Sequence, residues 1–194
     1  MSQETVFDFI KDPTKENFLK SRELIITNPD YDPYSDDLEI MEKLFEDKEY
    51  DKLNYYVNIN VLLSPRAHFI KYFSLKQIGD TKASEGVMFI CHNILSCIEK
   101  TGDGTMENPY IVIRISDEND FLQLHLRKKY TQQRLVQHEG KYLDVLTLED
   151  GSELHFDITD AYQRAAFSFK KRNEQSESQE EQPKKKKWWN FNKN

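Results

Sequence analysis

"EKTGDGTMENPYIVIRIS", residues 99–116, decides how this chain is read. On its amino side apolar residues recur at the three- and four-residue spacing of helices, and on its carboxy side they alternate. Gly102, Asp103 and Gly104 stand where the period changes. Beyond them Ile111, Ile113 and Ile115 alternate with Tyr110, Val112, Arg114 and Ser116, which predicts a strand with one strongly apolar face. Two readings of the glycine turn compete. Backbone amides of Gly102 to Thr105 could form a small anion nest, but the lysine and Ser/Thr of a P-loop are missing and no dinucleotide fingerprint follows a strand. The simpler reading puts Gly102 in the left-handed conformation that ends a helix. Asp103-Gly104 then reverses the chain and Pro109 holds Asn108 extended. That turn chemistry favours a hinge between two halves.

Moving toward the amino terminus, "SPRAHFIKYFSLKQIGDTKASEGVMFICHNILSCIEK" reads as a helical hairpin: Pro65 opens one helix, Gly79-Asp80 breaks it, and another runs to about Lys100. Before it, Leu38, Met41, Leu44 and Phe45 share one helix face, and Tyr50, Leu53, Tyr56 and Val57 share another. A helix pair repeating near thirty-four residues, with "GD" at the inner turn and Pro at the outer one, is similar to a tetratricopeptide repeat. The large aromatic near the repeat start is missing, and Ala83 or Ser84 must serve as the small packing residue. Fewer than three such units leave a core open, so another element has to cap them. "NPDYDPYSDD", residues 28–37, is a loop of tight turns in which Ser35 or Asp36 caps the next helix. Residues 5–27 give one or two helices broken around Pro13, with Asp12 or Thr14 as cap.

Toward the carboxy terminus, "DENDFLQLHLRKK" reads as a short helix capped by Asp117, and "QQRLVQH" and "KYLDVLTLEDGSELHFDIT" as strands. Asp150-Gly151 predicts a two-residue hairpin turn, with Val145, Leu154 and Phe156 supplying buried contacts. "DAYQRAAFSFKKR" is a last helix, presenting Tyr162, Ala166 and Phe169. Residues 173–183 are a polar linker predicted to stay disordered, and the chain ends "KKKKWWNFNKN". The expected fold is α+β: tetratricopeptide-like helical hairpins over 1–100, and a small antiparallel sheet with a short helix over 101–172 sharing their core. A linker and basic tail follow over 173–194.

"NPDYDPYS", "TGDGTMENPYIVIRISDENDFL" and "QRLVQHEGKYLDVLTLEDGSELHFDIT" together resemble a bacterial family catalogued as domain of unknown function 4919. The resemblance covers about Pro29 to Tyr162 and is most specific after Thr101. It implies the same order of helical hairpins, turn, strand and hairpin, and no known activity, cofactor or catalytic residue. Many members begin with an export signal that is not seen here, so their compartment does not carry over.

The formal charge is −7, against a general nucleic-acid binder with a basic face. That figure hides a split: residues 184–194 carry five lysines and no acid, so residues 1–183 sum to −12. Cys91 and Cys97 give no disulfide framework and point to a reducing compartment. Six residues apart on one helix, they stand roughly 240° apart around it and cannot share a site on one face. No basic start with an apolar run is read at Met1, and no run of about eighteen apolar residues predicts a membrane span. The expected location is cytoplasmic, with the inner membrane face as an alternative.

No catalytic residue, cofactor or metal site emerges. Asp30, Asp32, Asp36 and Asp37 fail the spacing of an EF-hand loop and lack its glycine. His68, His92, His125, His138 and His155 are scattered, with no HExxH, CxxC or GxSxG. The tail differs in kind. Lys184, Lys185, Lys186 and Lys187 followed by Trp188, Trp189 and Phe191 combine cationic charge with large aromatics. That pattern suits an anionic membrane surface, a partner protein or single-stranded nucleic acid. Equally, it suits solubility or docking on the chain's own acidic body. The leading expectation is a non-catalytic interaction module with an unknown protein partner, using the acidic helical surface. Tail-tethered membrane association comes second and an enzyme of unrecognised type third.

Overall fold

The structure, a computed structural model, describes residues 4–165 of the 194. The linker, the Lys/Trp tail, Ala166 and Phe169 lie outside the described residues. Helices α1 (Glu4–Lys11) and α2 (Lys15–Ile26) part at Pro13. Thr14 caps α2, its hydroxyl accepting from the Asn17 amide at 3.2 Å. Then come α3 (Asp37–Glu46), α4 (Tyr50–Tyr55), α5 (Pro65–Gln77) and α6 (Thr81–Thr101). Ser64 caps α5 with Pro65 in its first turn, Gly79 turns the chain at φ +80°, and Asp80 caps α6.

Two local expectations in this half need correction. Asp36 stands at the cap of α3 but makes no side-chain cap bond, and the Ser35 hydroxyl instead accepts from Arg114. Helix α4 stops early, so Val57 is exposed and not on a buried face. The chain leaves the helix because Tyr56 Oη–H and the side-chain amides of Asn58 and Asn60 all donate to the Asp37 carboxylate, wrapping residues 56–60 around it.

Four strands, β1 (Tyr110–Ile111), β2 (Tyr130–His138), β3 (Lys141–Leu148) and β4 (Glu153–Asp157), form one sheet in the order β1-β4-β3-β2. The fold is α+β, with the sheet near the carboxy end and a short helical segment at 159–165 after it. The β2–β3 and β3–β4 pairs are antiparallel, but β1 runs parallel to β4, so the sheet is mixed and not wholly antiparallel. The strand expected over 110–116 ends at Ile111. Asp117 Oδ2 accepts the amides of Ile113 and Arg114 at 3.3 and 2.8 Å, removing them from any ladder. The chain therefore turns into α7 (Ser116–Asp120), with Ile115 and not Asp117 at its cap position. A π-helix, Phe121–Leu126, continues α7 and stops at Arg127 in the left-handed region.

The hairpin turns differ from expectation as well. The β3–β4 connection is a three-residue loop, Glu149 to Gly151, closed by the Leu148 amide donating to Ser152 O, with Gly151 at φ +82°. The two-residue turn is instead Glu139-Gly140, joining β2 and β3 with both residues at positive φ.

Helix α6 holds the molecule together. Its buried Ser84, Cys91, Ile94, Ile98 and Thr101 recur at helical spacing. They join Phe9, Phe18 and Ile25 of α1–α2 to Tyr110, Phe121, Leu146 and Phe156, so the main core draws on both sides of residue 101. Cys91 donates to Pro65 O and Cys97 to Pro13 O, two different neighbours on two sides of the helix. A satellite core of Leu38, Met41, Leu53, Val61 and Ala67 lies beneath α3 and α5.

At the turn after α6, Gly102 is not left-handed: it is extended, at φ −156°. Its lack of a side chain serves a close approach, because a Cβ there would stand 2.4 Å from both Asn108 O and Pro109 O. The left-handed residue is Gly104, at φ +78°. The amides of Asp103 and Gly104 donate to Asn108 O, and the Thr105 amide donates to Asp103 Oδ1. Gly104 O accepts from the His155 amide, which fastens the turn to β4.

Candidate functional site

Two features stand out among the described residues, one open and one buried. The open one lies where α3 and α5 pass over the satellite core. Helical spacing sets Glu42, Phe45 and Glu46 along one edge of α3 and Phe69, Ile70 and Phe73 along the facing edge of α5. Between them runs a groove of about 260 Å³. Phe45, Phe69 and Ile70 are half-buried and form its floor, while Phe73 is 40% exposed at its lip. The Phe69 and Phe73 rings meet edge-on with centroids 4.9 Å apart, and Phe45 tilts against Tyr50 at 5.7 Å.

The rim is acidic. Glu42 has Arg66 at 3.8 Å on one side, whereas Glu46 makes no ion pair among the described residues. Residues 36–52, which include all of α3, hold eight acidic residues against three lysines. This arrangement can seat one large apolar side chain and attract cationic neighbours. Phe69 also borders a second groove of about 260 Å³ with Met88, Cys91, His92, Leu95 and Arg127. Burial pushes the Cys91 thiol there up to about 12, which keeps it protonated and unreactive.

The buried feature is a polar seam between the helical half and the sheet. Arg114, 4% exposed, donates to Ser35 Oγ, Ser35 O and Asn60 O at 3.0–3.3 Å. Arg66 donates to Asp120 Oδ1 at 2.9 Å, and Arg22 pairs with Asp160 at 2.7 Å while donating to Val112 O. Arg164 holds the carbonyls of Asn28, Pro29 and Tyr31, so the acidic loop is clamped from both ends through its backbone.

Burial dominates the carboxylates of the seam. It pushes Asp117 up to about 7, reinforced by the Asp120 charge and opposed by the amides and guanidinium it faces. Glu118 is raised well above the ordinary range by burial and by the neighbouring Asp144. The Gln133 amide donates to Asp144 from the other side. Asp120 is raised by burial against the pull of Arg66. The Glu118–Asp144 pair could exchange a proton, but neither groove opens onto it.

The residues singled out from the sequence are dispersed. Lys184, Lys185, Lys186, Lys187, Trp188, Trp189 and Phe191 lie outside the described residues. Gly102, Asp103 and Gly104 sit between α6 and β1, and Asp150 and Gly151 at the β3–β4 loop. Asp37 is enclosed by Tyr56, Asn58 and Asn60, and Asp32 accepts from the Tyr34 amide. Among the described residues no three His, Cys, Asp or Glu side chains are placed to hold a metal ion. His68 is half-buried with its ring against Leu62 O, and desolvation lowers it to about 4. His125 pairs with Glu99 at 2.8 Å, and His155 bonds Gly104 O.

Sequence reasoning missed the groove and the seam. The one signal for the seam is the position of Asp117, Glu118 and Asp120 between two apolar runs, "IVI" and "FLQL". No helix among the described residues is long and apolar enough to cross a membrane. A scan against protein-family models, a search of curated proteins and a search of solved structures each return no match to this chain.

Proposed function

We propose that this chain is a non-catalytic protein-interaction module that receives a short linear segment in the groove between α3 and α5. The observation that carries the reading is an open aromatic groove, floored by half-buried Phe45 and Phe69 with exposed Phe73 at its lip and framed by Glu42 and Glu46. Aromatic side chains in a concave site supply binding energy through desolvation, and rim carboxylates select cationic flanks and speed encounter. The favoured segment has one large aromatic or aliphatic anchor with lysine or arginine beside it. Helical pairs of the α3–α4 and α5–α6 kind present such grooves in repeat proteins. The acidic excess of residues 1–183 adds long-range attraction for a basic segment.

Fluorescence anisotropy with two labelled peptides tests this, one with a central Trp flanked by lysines and one with the same Trp flanked by glutamates. The lysine peptide is expected to bind the full chain and the glutamate peptide to bind at least tenfold more weakly. Phe73→Ala and Glu46→Lys should each weaken the lysine peptide severalfold. Equal binding of the two peptides, or indifference to both substitutions, would refute the groove as the binding site.

A further inference from the structure

Resting on that reading of the groove, we infer that its resident occupant is the chain's own basic-aromatic tail, residues 184–194, so that the interaction site is held closed in cis until a partner segment displaces it. Three observations converge. The first is charge: the tail carries five lysines and no acid, while the α3 wall belongs to a segment with eight acids against three lysines. Glu46 has no ion-pair partner among the described residues and Glu42 keeps only a 3.8 Å contact with Arg66. The rim thus offers carboxylates to an incoming ammonium group.

The second is shape. A groove of about 260 Å³ floored by Phe45, Phe69 and Ile70 admits one bicyclic ring and excludes a folded element. Trp188 and Trp189 follow directly on Lys187, so an indole in the groove brings the lysine run over Glu42 and Glu46. Indole on phenylalanine rings is a favourable aromatic contact, and lysine beside the same rings adds a cationic one.

The third is reach. The described body ends at residue 165, leaving eighteen residues, 166–183, before the first lysine of the tail. Eighteen residues can span at most about 60 Å, at roughly 3.3 Å each. A body of this length has a radius of gyration of about 15 Å and is some 40 Å across, so the tail can reach any point on its surface. Tethering also raises occupancy. At an effective concentration on the order of 1 mM, a segment whose free peptide binds with a Kd of about 100 μM fills the groove in about nine molecules of ten. Weak complementarity is therefore enough in cis, and a partner needs only moderately better complementarity to displace the tail.

The test uses a property of the composition: Trp188 and Trp189 are the only tryptophans of the chain, so its indole emission reports on the tail alone. The full chain is compared with the free peptide of residues 184–194. Seating in the groove predicts blue-shifted emission and several-fold weaker acrylamide quenching than in the peptide, at every protein concentration. Phe73→Ala, at an exposed position, and Glu46→Lys should each return the emission toward that of the peptide. Leu135→Ala, on β2 away from the groove, should leave it unchanged. High salt should weaken the protection, because screening removes the lysine contribution.

A second measurement separates this inference from the reading beneath it. Full chain carrying Trp188→Ala and Trp189→Ala has a vacated groove, and labelled 184–194 peptide should bind it about tenfold more tightly than it binds the unaltered chain. Emission that matches the free peptide and ignores the groove substitutions, with peptide still binding both chains equally, overturns the tail inference and leaves the interaction module standing. Absence of 184–194 peptide binding to the vacated chain overturns the tail inference, and absence of lysine-flanked Trp peptide binding to it as well overturns both. Emission that shifts with protein concentration places the tail on a second copy, and emission that shifts only when anionic phosphatidylserine vesicles are added places it on a membrane. Either result overturns docking in cis.

Discussion

Replacing Gly102 with Ala isolates one contact at the junction of the two halves. The added Cβ would stand 2.4 Å from Asn108 O, 2.4 Å from Pro109 O and 2.7 Å from the Pro109 carbonyl carbon. All three are backbone atoms, so no side chain can swing aside, and the loop must retreat by about 1 Å to restore ordinary contact. Asn108 O is also the acceptor for the Asp103 and Gly104 amides, and β1 is pinned two residues on by the Ile111 amide donating to Thr101 Oγ1 at 2.8 Å. Forcing that retreat costs about 1–3 kcal/mol as overpacking, plus about 1 kcal/mol for each bond it stretches open. The unfolded chain of the variant has less freedom, which returns about 0.4–1 kcal/mol. The net expectation is a loss of about 2–4 kcal/mol, or roughly 5–15 °C in melting temperature for a chain of this size. Gly86→Ala in α6 is the internal control. Nothing lies within 4 Å of that Cβ, and alanine should raise stability by about 0.8–1 kcal/mol through helix propensity. Thermal and urea unfolding followed by circular dichroism read both. Asn at position 102 discriminates further: a left-handed site tolerates Asn better than Ala, whereas a crowded extended site tolerates it worse. A Gly102→Ala chain as stable as the parent, or an Asn variant more stable than the Ala variant, would refute the close-approach argument.

Asp117 titrates in the folded state near 7 against an ordinary value of 3.8, so its contribution is fully present below about pH 4 and is lost as pH rises to 7. Asp117→Asn should flatten that part of the pH slope, read as a smaller difference in urea midpoint between pH 4.5 and pH 8, with His68 acting in the opposite direction equally in both chains. Arg114→Met should destabilise by about 3–5 kcal/mol, because it strips a buried charge from Ser35, Asn60 and the Asp117 carboxylate. Arg134→Met, which breaks the exposed pair with Glu153, should change the melting temperature little. Glu139→Asn should raise the melting temperature by about 1–3 °C, since Asn tolerates the positive φ of 48° that Glu139 now adopts in the β2–β3 turn.

What could be read from the sequence was whatever depends on neighbours along the chain. Thr14, Pro65, Gly79 and Asp80 mark helix ends through local backbone chemistry, and the period change at Gly102 separates helices from sheet. Legibility ended where a distant residue takes over a local group. "YIVIRIS" has the alternation of a strand, yet the Asp117 carboxylate captures two of its amides and the strand ends after two residues. "SDEND" looks like a solvated helix start, but Arg66, 54 residues before Asp120, and Asp144 on β3 reach it through the tertiary fold. The parallel pairing of Tyr110 with Phe156 depends on the return path of two hairpins, which no local pattern encodes. Phe45 and Phe69 each carry the signature of a core position. That they leave an open groove follows from the spacing of α3 and α5, a quantity of packing and not of sequence period.

The clamp between the last described helical segment and the loop after α2 bears on how the chain is made. Arg164 grips carbonyls 133 to 136 residues earlier, and Asp160 pairs with Arg22 from 138 residues away. At 5–20 residues per second, the loop waits roughly 7–27 s on the ribosome before its clasp is synthesised. During that interval α6 becomes available to cover Phe9, Phe18 and Ile25, while the clasp must close a loop of more than 130 residues at a large entropic cost. The loop after α2 is consequently among the last parts of the fold to be fixed, long after the helices on either side of it have been made.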